Sequence, residues 1–275
     1  MNRWITRTIL GVFAVTWFVA AFIYLKSQQV IKRTHVPEPR RVSLVTGDEL
    51  LVEGERLARV FGCADGCHGD KMQGAVVFEH PLNGRFTAPN LTQLVQNRTV
   101  DEIEAVLRQG IKPDGGSVFV MPSAALAAMT DRDFSAIYSY LRNAPYQTGQ
   151  PEPQDHGILT RYRMVTGALP AEAERRITQP WRETFRDNEM RLGEYLASVA
   201  CAQCHGLDLE GVEGGAPSLR KVVEYDRFEF GRLLEAGAGM GEREVGLMSE
   251  VARKRFRHLT EEEVEALYAY LKTRP

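Results

Sequence analysis

The feature that most constrains this chain is a short motif that occurs twice. Cys201-Ala202-Gln203-Cys204-His205 reads C-x-x-C-H, the attachment signature of a c-type haem. Both thiols sit on one short turn, placed to form thioethers with the two vinyl groups of one haem, and the adjacent histidine lies under the iron as its axial ligand. A longer version stands upstream, Cys63-Ala64-Asp65-Gly66-Cys67-His68, with one extra residue between the cysteines. The chain has four cysteines, and these two sites use all of them. The expected cofactors are therefore two covalently bound haem c groups. Two other uses of paired cysteines fit less well. A thioredoxin-like pair needs a strand-to-helix context and no histidine, and a zinc site needs the two distant pairs to converge.

The motifs belong to a longer repeat. Gly54-Glu55-Arg56-Leu57-Ala58 leads into the first and Gly193-Glu194-Tyr195-Leu196-Ala197 into the second. Gly69 and Gly74 follow the first histidine at the same spacing as Gly206 and Gly211 follow the second. Ala88-Pro89-Asn90-Leu91 then matches Ala216-Pro217-Ser218-Leu219. Ile103, Val106, Leu107 and Gly110 match Phe230, Leu233, Leu234 and Gly237 at the i, i+3, i+4, i+7 spacing of a helix with one buried face. A closing helix starts at Thr130 in one copy and Thr260 in the other, with stripes Phe134, Ile137, Tyr138, Leu141 and Val264, Leu267, Tyr268, Leu271. Thr99 with Glu102 and Thr260 with Glu263 carry capping-box spacing. No stretch shows sustained strand alternation. The expected fold class is all-α, with two tandem helical domains after one N-terminal transmembrane helix.

The N-terminus supplies the second signal. No charge falls between Arg7 and Lys26, and Ile9 to Leu25 is nearly all apolar, at the short end of what spans a bilayer. Trp4, Trp17 and Tyr24 provide interfacial anchors. The following Leu25-Lys26-Ser27-Gln28-Gln29 lacks the small-x-small pattern of a signal-peptide cleavage site, which favours an uncleaved anchor. Arg3 and Arg7 flank one side of the span; Lys26, Lys32, Arg33, Arg40 and Arg41 flank the other. Charge counting alone puts the C-terminal bulk inside the cell. Attachment of c-type haem takes place outside the cytoplasm, and on that ground the bulk is placed in the periplasm of a bacterial inner membrane. The expected division is 1–27 anchor, 28–46 linker, 47–145 first domain, 146–184 proline-rich extended linker and 185–275 second domain. Pro145, Pro151, Pro153, Pro170 and Pro180 mark the connection. A net charge of −2 gives no case for nucleic acid.

A haem iron that only carries electrons takes a second protein ligand, and methionine thioether raises its potential. Met121 follows Gly110 by eleven residues, and Met248 follows Gly237 by the same eleven. Pro122 stiffens the first of these loops. Met240 aligns with Pro113 and has no counterpart; Met129 aligns with Leu259 in a hydrophobic-staple position. Met72, Met164 and Met190 read as packing or surface residues, and His80, His156 and His258 as surface or hydrogen-bonded histidines.

With these residues in place, residues 47 to 145 and 185 to 275 both resemble class I cytochromes c. The resemblance implies crossed N- and C-terminal helices, with Gly54 and Gly193 allowing close approach against Tyr138 and Tyr268. It implies axial pairs His68/Met121 and His205/Met248, with Cys63, Cys67, Cys201 and Cys204 as thioether donors. It implies that the carbonyls of Pro89 and Pro217 hold the histidine rings. The extra residue in the first motif departs from the family's pattern. Copy one, with Gly110-Ile111-Lys112-Pro113-Asp114-Gly115, is similar to cytochrome subunits of membrane-bound bacterial dehydrogenases. The implied role is electron relay between a dehydrogenase or quinol-linked complex and a downstream acceptor or terminal oxidase, with no catalytic activity of its own. A dihaem peroxidase is the alternative and needs a displaceable sixth ligand. A sensor is disfavoured because no output domain follows Pro275, while a role as a subunit of a larger oxidase stays open.

Overall fold

The computed structural model describes residues 3–39, 42–175, 188–212 and 215–274; Arg40, Arg41, Pro180 and Pro275 lie outside them. The chain opens with α1 (Arg3–Ile31). The first copy of the repeat follows as α2 (Glu49–Val60), β1 (Ala75–His80), β2 (Gly84–Ala88), α3 (Leu91–Leu94), α4 (Val100–Gln109), α5 (Ser123–Leu126) and α6 (Asp131–Asn143). Strand β3 (Asp155–His156) and helix α7 (Ile158–Thr166) come next. The second copy is α8 (Glu189–Leu196), α9 (Ala202–His205), α10 (Arg227–Ala236), α11 (Leu247–Lys254) and α12 (Glu261–Lys272), with a two-residue ribbon, Ala238–Gly239 on Arg243–Glu244, between α10 and α11.

The helix boundaries follow local chemistry. Thr99, Asp226 and Thr260 each form a full capping box with the glutamate three residues on, satisfying amide donors that the first turn leaves open. Gly110 and Gly237 close α4 and α10 in the left-handed conformation, where a side chain is strained. The predicted stripes face inward: Ile103, Leu107, Phe134, Ile137, Leu141, Phe230, Leu233, Leu234, Leu267 and Leu271 are buried.

In each copy the first and last helices cross at a glycine. A Cβ on Gly54 would lie 2.0 Å from the carbonyl oxygen of Ala136, and one on Gly193 would lie 2.0 Å from that of Ala266. The aromatic partners differ from those expected. Gly54 faces Tyr140 and Gly193 faces Tyr270, whereas Tyr138 stacks on Phe134 and Tyr268 leans on Phe230. Residues two apart on a helix point to different faces, so the crossing takes the second tyrosine of each Tyr-x-Tyr pair.

The loops after the histidines also repeat. Gly74 N–H donates to His68 O at 2.9 Å and Gly211 N–H to His205 O at 2.8 Å. Leu91 N–H donates to Met72 O and Leu219 N–H to Leu209 O, both at 2.9 Å. Met72 and Leu209, at equivalent positions, both adopt positive φ (58° and 63°).

Three features depart from the sequence expectation. The all-α reading misses an antiparallel sheet in which β2 pairs with β1 and with β3. Strand β1 buries no face, so the alternation that marks a half-buried strand is absent from its sequence. The stretch 146–184, expected to be extended, contains α7. Pro145, Pro151, Pro153 and Pro170 bracket this helix, and Gly157 and Gly167 cap it. Helix α1 runs through residue 31, into the expected linker, because its end has a docking site. Arg161 Nη1 donates to the buried Ser27 hydroxyl at 2.9 Å and its guanidinium lies 4.6 Å from the Tyr24 ring. Val30 and Ile31 pack into a cluster with Phe119, Met164, Leu169 and Ala171. Earlier in α1, mean hydropathy reaches 2.2 in a window with no buried residues, so by length and composition the helix is able to cross a membrane.

Alanine in place of glycine normally favours a helix by up to about 1 kcal/mol. At Gly54 and Gly193 the collision with a carbonyl reverses the sign. Gly54→Ala and Gly193→Ala are each expected to destabilise the protein by about 3 kcal/mol, measured by denaturant unfolding.

Candidate functional site

Each Cys-Cys-His motif sits at the end of the first helix of its copy. In the second, the backbone passes from a wide turn, Ala197–Cys201, directly into α9, which ends on His205. In the first, the additional residue is absorbed locally. Ala64 is extended, Asp65 adopts φ 56° and Gly66 completes the bulge. The Asp65 carboxylate accepts from Arg59 Nε at 2.8 Å, which anchors the bulge to α2.

The two histidines are held alike. His68 is 8% exposed and His205 9%. His68 Nδ1 donates to Pro89 O at 2.8 Å and His205 Nδ1 to Pro217 O at 2.7 Å. A carbonyl only accepts, so each bond puts the proton on Nδ1 and leaves Nε2 as the acceptor, the atom that binds a metal. Burial lowers the His68 pKa while the Pro89 bond opposes it.

The environments of Cys63, Cys67 and Cys201 favour neutral thiols. Burial pushes Cys63 up to about 11 and Cys201 up to about 12, and raises Cys67 as well. A zinc site or a redox pair needs thiolate. Among the described residues no three His, Cys, Asp or Glu side chains converge to hold a metal ion. Met121 and Met248 are half-buried and both pack against the main core cluster. Met121 precedes α5 in a loop, whereas Met248 lies in the first turn of α11. Of the other methionines, Met72, Met129 and Met164 are buried, and Met190 is 40% exposed. His80 Nδ1 accepts from Leu82 N–H, and His156 sits in β3 beside Phe86 and Phe119. These residues fit a c-type haem in both copies: a pair of cysteines, an imidazole of fixed tautomer and a half-buried thioether.

The two motifs face each other. Helix α5, just after Met121, packs on the turn before α9 and on α9 itself; α11, which carries Met248, packs on the first attachment loop. Arg255 bridges them. It is 9% exposed, its Nε and Nη2 donate to Val60 O at 3.2 and 3.1 Å, and Nη2 donates to Gln203 Oε1 at 2.8 Å. Burial lowers its pKa, and the Cys204, Cys67, Cys63 and Cys201 sulfurs all lie within its electrostatic reach.

Two further contacts exchange across the interface with near two-fold symmetry. Arg56 Nη1 pairs with Glu263 at 2.7 Å, and the Tyr195 hydroxyl donates to Asp133 Oδ2 at 2.6 Å. Arg56 and Tyr195 are equivalent in the repeat, as are Glu263 and Asp133, each at the third position of a capped closing helix. Sequence reading missed all four, together with Arg255 and Gln203. The available signal was the pairing of equivalent positions in the repeat; Arg255 lies where the copies differ in length and gives none.

Residues 190–275 match the family model of Cytochrome c. Over most of its length the chain is similar to three curated proteins. It is 25% identical to the "Alcohol dehydrogenase (quinone), cytochrome c subunit" of Gluconobacter oxydans, over 83% of this chain and 55% of the relative. It is 23% identical to the "Fructose dehydrogenase cytochrome subunit" of Gluconobacter japonicus, over 82% and 52%. It is 22% identical to the "Gluconate 2-dehydrogenase cytochrome c subunit" of Pantoea cypripedii, over 82% and 60%. The chain thus spans little more than half the length of these relatives.

Burial and the Asp133 carboxylate raise the Tyr195 pKa well above 10.0. The folded state therefore holds the phenolic proton more tightly than the unfolded state. Its contribution is complete below the unfolded pKa and is lost as pH rises through and beyond about 10. Tyr195→Phe is expected to cost about 1 kcal/mol at pH 7 and to flatten the alkaline fall in stability, measured by unfolding across pH 8 to 11.

Proposed function

We propose that this chain carries two haem c groups and relays single electrons as the cytochrome subunit of a membrane-bound dehydrogenase. The observation that carries the reading is the buried histidine held by a proline carbonyl, at 2.8 Å in one copy and 2.7 Å in the other. Bound haem would supply a one-electron ferric/ferrous couple. The protein's task is to keep the ligand set unchanged between the two states. Cys63, Cys67, Cys201 and Cys204 would tether the groups, and His68 and His205 would ligate through Nε2. Met121 and Met248 would supply a thioether ligand to each group, favouring ferrous iron. The fixed ring tautomers and the rigid Gly-crossed helices limit rearrangement around each site.

The named relatives are cytochrome subunits of dehydrogenases. A catalytic dehydrogenase subunit is therefore the proposed electron donor, with a quinol-linked complex or terminal oxidase as acceptor. Helix α1 is read as an inner-membrane anchor that leaves both copies in the periplasm. Confinement to the membrane surface raises the effective concentration near membrane-bound partners.

Protein matured in a bacterial host competent for c-type haem attachment is expected to yield two haems per chain by pyridine haemochrome assay. Cys201→Ala/Cys204→Ala and Cys63→Ala/Cys67→Ala should each leave one. Met121→Ala and Met248→Ala should each remove about half of the weak red-edge absorption band of the oxidised protein, which reports iron–thioether bonding. A single haem per wild-type chain, or a high-spin spectrum, overturns the proposal.

A further inference from the structure

Helix α7 sits against the end of α1 in a defined register, and the β1–β2 turn is bonded to the start of α7. Arg161 touches Tyr24 and Ser27, while Met164, one turn later in α7, shares a buried cluster with Val30 and Ile31. The two helices therefore run in the same direction. It follows that the start of α7 lies towards the apolar run of α1, which ends at Leu25 just before Lys26. The turn of the β-hairpin is fastened to this same end. Leu159 N–H donates to Leu82 O and Gly157 N–H to Asn83 O, both at 2.9 Å, and the Thr160 hydroxyl donates to Asn83 O at 2.8 Å.

Three large side chains at this level are left in the open: Leu82 at 54% exposed, Ile158 at 46% and Tyr162 at 52%. Glu79, Arg85 and Asp155 border the hairpin with charge. Apolar tips backed by charged groups and a tyrosine, at the height where a spanning helix leaves the hydrocarbon, match the layered chemistry of a lipid interface.

We infer that Leu82 and Ile158 dip into the outer leaflet beside α1, with Tyr162 at headgroup level, so that the hairpin and α7 form a collar seated on the membrane. This rests on the reading of α1 as a membrane anchor. The occupant is phospholipid: the patch continues the apolar surface of α1, and the packing of α7 fixes its height on that helix. Arg161, between the tips and the core, keeps its charge at the headgroup boundary by lying over Tyr24.

The test uses the full-length protein in phosphatidylcholine vesicles containing a lipid with a photoactivatable diazirine on the acyl chain, with labelled peptides mapped by mass spectrometry. Labelling of 9–25 together with the peptides holding Leu82 and Ile158 is the expected result. Phe228 and Leu247, exposed at 80% and 71% in the other copy, should stay unlabelled. The doubly substituted Leu82→Asp/Ile158→Asp should lose label at both collar peptides and keep it in 9–25. Labelling confined to 9–25 overturns the collar and leaves the anchor standing. Labelling of neither overturns both, and equal labelling of Phe228 or Leu247 overturns the collar as a specific contact.

Discussion

The arrangement of both sites depends on a contact that leaves no room for a single methyl group. Where α2 crosses α6 and α8 crosses α12, glycine meets a backbone carbonyl. The separation of each helix pair is set by main chain against main chain, not by side chains that could repack. Each cysteine motif begins eight or nine residues beyond its crossing glycine, so its starting point is fixed by backbone geometry. The histidine that follows is then pinned from the far side by a proline carbonyl, and the ring has one orientation available.

Between the copies, polar groups add to an apolar core that runs through both. Arg56 meets Glu263 where Tyr195 meets Asp133, so one repeated geometry is served by an ion pair on one side and a hydroxyl on the other. Burial works against the Arg56 charge, but Glu53 and Glu263 outweigh it and raise its pKa. Arg108 plays a comparable part inside the first copy. It is buried, bonds Asp131 at 2.8 Å and Met129 O at 2.9 Å, and ties α4 to the start of α6.

Much of this was legible in the sequence because it is written in spacing. The caps at Thr99, Thr130 and Thr260 and the buried stripes sit where the repeat puts them, and the proline carbonyls bond the histidines as the resemblance to class I cytochromes c implies. What was not legible depends on tertiary pairing. Strand β1 has no buried face to impose alternation, so its register comes from β2 alone. Helix α7 is short and lies among prolines, and its reason for forming is the end of α1, far away in sequence. The choice of Tyr140 and Tyr270 over Tyr138 and Tyr268 turns on a rotation about the helix axis, which two tyrosines in one pattern leave open.

Arg255 has a consequence for the autonomy of the two copies. The second copy lends this cation to the first, where Val60 O receives it, while Gln203 returns Nε2 to Phe61 O at 3.3 Å. Pulling the copies apart would cost the guanidinium its Val60 acceptor, leaving it Gln203 Oε1 alone, and would take the partners of two main-chain oxygens at once. The halves are therefore not beads on a string.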